Sequence, residues 1–451
     1  MLSNGPTSEL LEVAMTMAVI LAAGRGTRMR SDLPKVLHRL MGAPLLEYAV
    51  DNVTALACRP VVVVVGHRHE LVEAEFRGLG ITFANQAEQK GTGHAASVGI
   101  EAVKDFDGDV LILNGDLPLL ELATLKGIVA HHQKTGAHAT ILTCEMSQPY
   151  GYGRILRDSK TGGFRGICEE NDADEKARAI REANVGTYVF QSKVFREAYR
   201  RTRPENRQGE FYLTDVVAEA AKSGGRVETF PVEDGPQIAQ VNSRQELAEV
   251  AALVRRNILN RYMDAGVTVE DPRSTYIEKG VSIGRDARIL PFTYIERGVE
   301  IASGAEVGPF THLRPGTILE EGASIGNFVE IKSSRIGRKA KARHLSYIGD
   351  ATIGEDVNIG AGTIFANYDG KRKSPSVVKR GAFIGSGTIL VAPVTVGEEA
   401  VTGAGAVVTR NHDVADRDVV VGVPARSLHA RTHRPAAPRP QDDSSGSRGH
   451  S

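Results

Sequence analysis

Three stretches of this chain carry residues whose types and spacing suit phosphate and metal chemistry. The first is Leu21-Ala22-Ala23-Gly24-Arg25-Gly26-Thr27-Arg28-Met29, followed by Leu33-Pro34-Lys35. Met17–Ala22 reads as a buried strand, so the Gly-rich turn sits at a strand's carboxyl end. Its backbone N–H groups can face phosphate oxygens, and Arg28 and Lys35 add fixed positive charge. The turn is not a dinucleotide fingerprint, because Met29 stands where the third glycine belongs. It is not a Walker A loop either, because no Gly-Lys-Ser/Thr follows. An ordinary β–α turn with solvated basic residues would look the same. The second stretch is Gln86-Ala87-Glu88-Gln89-Lys90-Gly91-Thr92-Gly93, after a strand over Ile81–Ala84. Thr92 is expected to cap a helix running through Val103. The third is Asn114-Gly115-Asp116-Leu117-Pro118, after a strand over Asp109–Leu113. Asp116 is a hard carboxylate suited to Mg²⁺, which favours oxygen ligands and substrate phosphates. An Asx turn before Pro118 is the alternative.

The elements that must position these loops alternate. Helices are expected over Leu45–Leu56 and His69–Phe76, with a buried parallel-type strand over Pro60–Val65 between them. Strands followed by helices imply a mostly parallel, Rossmann-like α/β sheet. Ligands of such sheets bind outside the carboxyl ends of the strands, so the three loops should share one cleft. Further strands are expected near Arg154–Leu156, Phe164–Cys168 and Val185–Phe190. Gly153, Glu169 and Asn184 lie beside them with no role that the residues alone assign. Ser243–Asp264 reads as a long helix with one apolar stripe, Leu247, Val250, Ala251, Val254, Ile258, Leu259 and Tyr262.

Beyond that helix the period changes. Counting in sixes from Ile277 gives Ile283, Ile289, Ile295, Ile301, Val307, Leu313, Leu319, Ile325 and Ile331, all aliphatic. Six residues advance an α-helix by about 600°, which would smear the row around its surface. A parallel β-helix accounts for it: each short strand turns one aliphatic inward and the chain then rounds a corner. Corner glycines include Gly280, Gly284, Gly298, Gly304, Gly308, Gly316, Gly322 and Gly326. The phase slips near Ile336, and a polar insertion around Asn367-Tyr368-Asp369 to Pro375 breaks the count before Val378 resumes it. Such an insertion at a solenoid corner usually reaches over a binding face.

The expected organisation is an N-terminal extension over 1–16, a first domain over 17–244, a linker helix over 245–266, a β-helix over 267–429 and a disordered tail over 430–451. Met15 and Met17 are candidate starts. The formal charge is zero, with 55 basic and 55 acidic residues, which argues against a bulk grip on nucleic acid or anionic lipid. There is no tryptophan, and no apolar run reaches membrane-spanning length. The three cysteines, Cys58, Cys144 and Cys168, have no metal-ligand spacing, and free thiols suggest a reducing cytoplasm.

The loop signatures together resemble nucleotide-sugar pyrophosphorylases. Combined with Gln86 to His94, Gly115-Asp116 and the hexapeptide solenoid, they resemble a narrower family: bifunctional N-acetylglucosamine-1-phosphate uridyltransferase/glucosamine-1-phosphate N-acetyltransferases. The resemblance spans Met17 to Pro424. It implies a left-handed β-helix, assembly as a homotrimer, Mg²⁺, and UTP and acetyl-CoA as co-substrates. It further implies that Leu21, Ala22, Ala23 and Gly24 contact nucleotide, with Arg28 and Lys35 near the phosphates. Gln86, Gly91 and Thr92 match uracil-side contacts, Asp116 and Asn242 the Mg²⁺ ligands, and Gly153, Glu169 and Asn184 sugar contacts. In the β-helix, Arg314, Lys332, Tyr347, Asn358 and Lys373 match contacts to substrate phosphate and sugar. Asn367 and Tyr368 match the pocket at the insertion. Ala361, Ser386 and Ala404 match acetyl-CoA positions, and His344 the catalytic base. Asn114 and Gly422 depart from residues that some members use, Tyr for sugar and Arg for CoA.

An attacking amine must lose a proton at neutral pH, and histidine, with an ordinary pKa near ~6.5, suits that task. Glu330 is expected to orient His344. Two other functions remain open on the residues. One is a single-activity pyrophosphorylase with a structural or regulatory β-helix. The other is a non-catalytic nucleotide sensor with a scaffold tail.

Overall fold

The computed structural model describes residues 16–233 and 235–428. The N-terminal extension up to residue 15, with the candidate start Met15, and the tail over 430–451 lie outside them, whereas Thr16 and the other candidate start, Met17, belong to the first strand. The chain divides into two compact units, the first ending at Val254 and the second starting at Arg255.

The first unit is built on nine strands: β1 (Thr16–Leu21), β2 (Val61–Val65), β3 (Thr82–Asn85), β4 (Asp109–Asn114), β5 (Ala139–Glu145), β6 (Gly153–Arg157), β7 (Phe164–Cys168), β8 (Glu182–Gln191) and β9 (Val227–Val232). Their order is β9-β5-β8-β4-β1-β2-β3, with β6 pairing β8 and β7. The strands β4, β1, β2 and β3 run parallel, as near-continuous aliphatic runs require. One feature was not expected from sequence: β8 runs antiparallel to both β4 and β5 and separates the parallel strands into two groups.

Helices α1 (Leu45–Ala55), α2 (His69–Glu75) and α3 (Thr92–Glu101) fall where expected within a residue or two, and α4 (Leu122–Thr135), which the sequence reading did not place, follows β4. Gly99 of α3 lets that helix lie against β1 and β2, since a Cβ there would come 2.5 Å from Val19 and 2.8 Å from Val64. Two expectations about α3 are corrected. The helix ends at Glu101 rather than Val103, and Gly91, not Thr92, is the cap. Thr92 is the first helical residue. Its hydroxyl accepts instead from the N–H of Leu213 at 3.0 Å, the first residue of α5 (Leu213–Lys222). Non-local satisfaction of that orphan donor won over local capping.

The long helix, here α6, spans Arg244–Asp264 and crosses the division between units. Val250, Val254, Ile258 and Leu259 of its stripe are buried. Its second half packs on the first coils, with Tyr262 donating to the Val281 carbonyl at 2.6 Å and Arg255 stacked over Tyr276.

The second unit is the parallel β-helix. Ile277 pairs Ile295, which pairs Leu313, which pairs Ile331; Ile289 pairs Val307, then Ile325; Ile283 pairs Ile301, then Leu319. Three rows therefore repeat every three hexads, one on each side of the coil. All positions of the sixfold row are buried except Ile283, which is half-buried. At the slip the coil is one residue shorter: Leu319 pairs Ile336, a step of 17 residues where Ile301 to Leu319 takes 18. Strands Ser324–Lys332 and Lys341–Gly349 each continue around a left-handed corner, at Phe328 and Leu345, and pair along their length, joining Asn327 to His344 and Glu330 to Tyr347. The corner glycines do not all serve one purpose. Gly326 has an ordinary φ, but a Cβ there would lie 2.0 Å from the Arg343 carbonyl oxygen, so it permits coil-on-coil approach. Phenylalanines take the left-handed corner instead at Phe292, Phe310 and Phe328, which stack in an exposed column.

Candidate functional site

The three loops do converge. A cavity of about 350 Å³ is lined by Leu21, Ala22, Ala23, Gly24, Lys35, Gln86, Gly91, Thr92 and Asp116, among others. A second, of about 180 Å³, is lined by Gly153, Glu169 and Asn184 and shares Leu21, Thr92 and Asn114 with the first. β6, β7 and β8 thus bring the three residues that sequence alone left unassigned to the edge of the larger cavity. Arg28 is exposed and lines neither cavity.

Lys35 closes the far end. Its ammonium lies 2.5 Å from Asp116 Oδ2 and 2.9 Å from Asn242 Oδ1. Asn242 is fixed in turn, its N–H donating to Glu246 of α6 at 2.6 Å. The other carboxylate oxygen, Asp116 Oδ1, is buried with no hydrogen-bond partner. An orphaned buried carboxylate oxygen beside an amide oxygen is a donor set that a hard divalent cation fits. Among the described residues no three His, Cys, Asp or Glu side chains gather as a full metal cage. The remaining positions would fall to water and phosphate oxygens.

In the smaller cavity, Glu169 accepts from the Thr214 hydroxyl at 2.8 Å. Burial raises its carboxyl above the usual range against that bond, and Asp215 and Asp172 push the same way. Asn184 is buried and donates to the Tyr188 hydroxyl at 2.7 Å, while its Oδ1 accepts from the Gly186 N–H. Gln89, whose Nε2 donates to the Ala23 carbonyl at 2.7 Å, ties the second loop to the first. It lies inside the sequence motif, but nothing in residue type alone announced that bond. Tyr188, Thr214, Gln240 and Glu210 also line the cavities and carried no local signal.

The β-helix places its candidate residues in groups. Arg314 bonds Glu330 at 2.8 Å. Lys373 beside Lys332 pulls that ammonium below the usual lysine range, with burial and Arg314 acting the same way. Crowded cations of this kind are what a phosphate relieves. The insertion forms a small hairpin in which Tyr368 bridges Lys373. Asn367 is anchored by donating to Asp350 at 2.5 Å. Gly349 sits between Tyr347 and Asn367, where a Cβ would lie 2.6 Å from both polar tips. Asn358 lies on another side of the coil, paired to Phe383. Ala361 and Ser386 stack on successive coils, their carbonyls accepting from Gly387 and Gly405, and Ala404 continues that column.

His344 is exposed, and its Nδ1 lies 3.1 Å from Asn327 Oδ1. This corrects the expectation for Glu330, which is spent on Arg314. Sequence favoured a carboxylate by type, but strand register puts Asn327, not Glu330, opposite His344. With Asn327 Oδ1 as acceptor, Nδ1 donates, and the neutral ring then has its lone pair on Nε2. Among the described residues no hydrogen bond or ion pair joins His344 to the Lys332–Lys373 group.

Fold and cavities together define a nucleotidyltransferase unit and a parallel β-helix in one chain. Residues 18–186 match the MobA-like NTP transferase domain. Along most of its length the chain is similar to proteins named "Bifunctional protein GlmU". It is 43% identical to that of Syntrophotalea carbinolica, covering 87% of this chain and 92% of the relative. It is 45% identical to that of Pelotomaculum thermopropionicum, covering 84% and 89%. For Mycolicibacterium vanbaalenii the figures are 43%, 86% and 87%. The chain belongs to the family of the bifunctional protein GlmU, and it is an enzyme, a transferase with two activities.

Proposed function

We propose that the two units catalyse successive reactions of UDP-N-acetylglucosamine synthesis. The β-helix acetylates glucosamine-1-phosphate with acetyl-CoA. The first unit then joins N-acetylglucosamine-1-phosphate to UMP from UTP and releases pyrophosphate. The observation that carries the reading is the continuous pair of cavities, one ending at Lys35 and Asp116 and the other at Glu169 and Asn184. It is a long site for two ligands end to end.

In uridyl transfer the sugar-phosphate oxygen attacks the α-phosphorus of UTP and the bond to pyrophosphate breaks. No protein nucleophile is required. The residues bind and orient: loop N–H groups from Ala22 to Gly24 and the Lys35 ammonium face phosphate oxygens, with Arg28 reaching in from the surface. Gln86, Gly91 and Thr92 bind the base, and Gly153, Glu169 and Asn184 the sugar. Mg²⁺, held by Asp116 and Asn242, would supply charge neutralisation at the phosphates when bound.

In acetyl transfer the free amine attacks the thioester carbonyl, and His344 Nε2 takes the amine proton as the C–N bond forms. The C–S bond breaks and the CoA thiolate leaves, to be protonated in turn. Asn327 holds the imidazole in the required tautomer. Arg314, Lys332 and Lys373 bind the substrate phosphate, Tyr347, Asn358, Asn367 and Tyr368 the sugar, and Ala361, Ser386 and Ala404 the CoA column.

His344 pairs at Asn327 whereas Lys332 pairs at Gly349, five residues further along the strand, and this separation within one chain supports a site completed by a neighbouring copy, as in a homotrimer. The exposed Phe292–Phe310–Phe328 column and Leu345, 63% exposed beside His344, support the same reading. Nucleic acid and membrane are not partners in this account. Among the described residues no helix is long and apolar enough to cross a membrane. The account places the chain in the cytoplasm, where its free thiols stay reduced. The catalytic regions are taken as 17–244 and 267–429, joined by the helix between them. Incubation with glucosamine-1-phosphate, acetyl-CoA, UTP and Mg²⁺, products read by mass, tests the reading. Light scattering should give a trimer, and a fully active monomer would overturn that part.

A further inference from the structure

The second loop holds one amide in a single orientation. Gln86 is buried, 4% exposed, and lines the larger cavity. Its Nε2 lies 3.1 Å from the Gly91 carbonyl oxygen and 3.0 Å from His94 Nδ1. A carbonyl oxygen only accepts, so the NH₂ end of the amide must face Gly91. The flipped amide would set two oxygens against each other. The Gly91 carbonyl is itself fixed by the backbone. Its φ is 103°, and a Cβ there would lie 2.6 Å from the Phe211 carbonyl oxygen.

The second N–H of Gln86 then needs an acceptor. His94 Nδ1 supplies one only as the neutral imidazole with its proton on Nε2. Burial first, then the charge of Lys90, hold His94 below the ordinary histidine range, against its bond to the Glu88 backbone. Both Nε2 protons of Gln86 are thereby spent inside the protein. Oε1, an acceptor, is the amide atom left to the cavity.

We propose that His94 is a specificity-positioning residue. It fixes the Gln86 amide so that the site takes a pyrimidine presenting an N3–H donor and rejects one whose N3 is an acceptor. Uracil donates N3–H to Oε1. Cytosine sets its N3 lone pair against Oε1 and leaves both acceptors unpaired. A site built around one hydrogen bond rejects the partner that lacks it far more strongly than a shape-matched apolar pocket does. The proposal rests on the reading of this cavity as the nucleotide site with Gln86 at the base.

The test is kcat/KM for UTP and for CTP in four full-length proteins: wild type, H94F, H94N and Q86L. Wild type should favour UTP by at least ~10²-fold. H94F keeps a planar ring but no acceptor, so the UTP/CTP ratio should fall at least tenfold, mainly through a higher KM for UTP rather than a lower kcat. H94N places Oδ1 where Nδ1 was and should restore the ratio. A wild-type ratio in H94F, or H94N as poor as H94F, overturns the role of His94. Should H94F fail to fold, judged by thermal unfolding, the H94N result alone decides, since an unrestored ratio there overturns the proposal. Q86L separates the two levels. If it leaves the ratio unchanged, Gln86 is not at the base and the nucleotide reading fails. If Q86L lowers the ratio and H94F does not, only the proposal for His94 fails.

Discussion

The Lys35 ammonium lies 2.5 Å from Oδ2 of Asp116, and Asn242 Oδ1 shares the same ammonium at 2.9 Å. Three chain segments far apart in sequence meet at one cation. Asp116→Ala removes the carboxylate that pairs with Lys35 and that would hold Mg²⁺ at the phosphates. Uridyl transfer should fall at least ~10²-fold while acetyl transfer stays near wild type. Separate assays with N-acetylglucosamine-1-phosphate and with glucosamine-1-phosphate check this. Uridyl transfer retained at saturating Mg²⁺ would remove Asp116 from the site.

Glu169 gives a pH signature. Burial raises its folded-state pKa above the value it has unfolded. Between those two values the folded chain binds more protons than the unfolded one, so this group's contribution to stability falls as pH rises through that window. Glu169→Gln should therefore raise Tm at pH 7.5 and change it little near pH 4, while raising KM for the sugar phosphate. Thermal unfolding at both pH values reads it, and a Tm gain at pH 4 only would contradict the sign.

His344 and Asn327 are linked through one hydrogen bond. Asn327→Ala frees the imidazole to turn and to take the other tautomer. Acetyl transfer should fall ~10-fold or more, less than the ~10² loss expected for His344→Ala. Glu330→Gln should instead raise KM for the phosphate-bearing substrate, because Glu330 holds Arg314. If Glu330→Gln matched His344→Ala in kcat, the assignment of Asn327 would be wrong.

Gly326 tests the coil packing behind that corner. A methyl group there meets the Arg343 carbonyl oxygen at 2.0 Å, which only backbone movement can relieve. Gly326→Ala should destabilise the β-helix by about 3 kcal/mol and depress acetyl transfer, sparing uridyl transfer. A Tm unchanged from wild type would show that the coils approach less closely than described.

Local periodicity made most of the fold legible in the sequence. The sixfold aliphatic row dictated the β-helix because each inward position is read independently of the others. The strand-then-loop pattern placed three loops at one sheet edge. The antiparallel strand β8 was not legible as such, because strand direction is set by non-local pairing rather than by composition. Thr92 misled for a related reason: its hydroxyl serves Leu213, a partner 121 residues away. Glu330 misled because residue type suggested a carboxylate, whereas the pairing of the two long strands sets the register that brings Asn327 to His344. The sugar-side group Glu169, Asn184 and Thr214 became a unit only when β6, β7 and β8 folded together.

The central claim, two chemistries in two units of one chain, is tested most directly by a single incubation of glucosamine-1-phosphate, acetyl-CoA, UTP and Mg²⁺. The proteins are wild type, Asp116→Ala, His344→Ala and an equal mixture of the two variants, with products read by mass. Wild type should yield UDP-N-acetylglucosamine. Asp116→Ala should stop at N-acetylglucosamine-1-phosphate, His344→Ala should leave glucosamine-1-phosphate unacetylated, and the mixture should restore the final product. Loss of both activities in either variant, or acetylation by His344→Ala at the wild-type rate, would contradict the account.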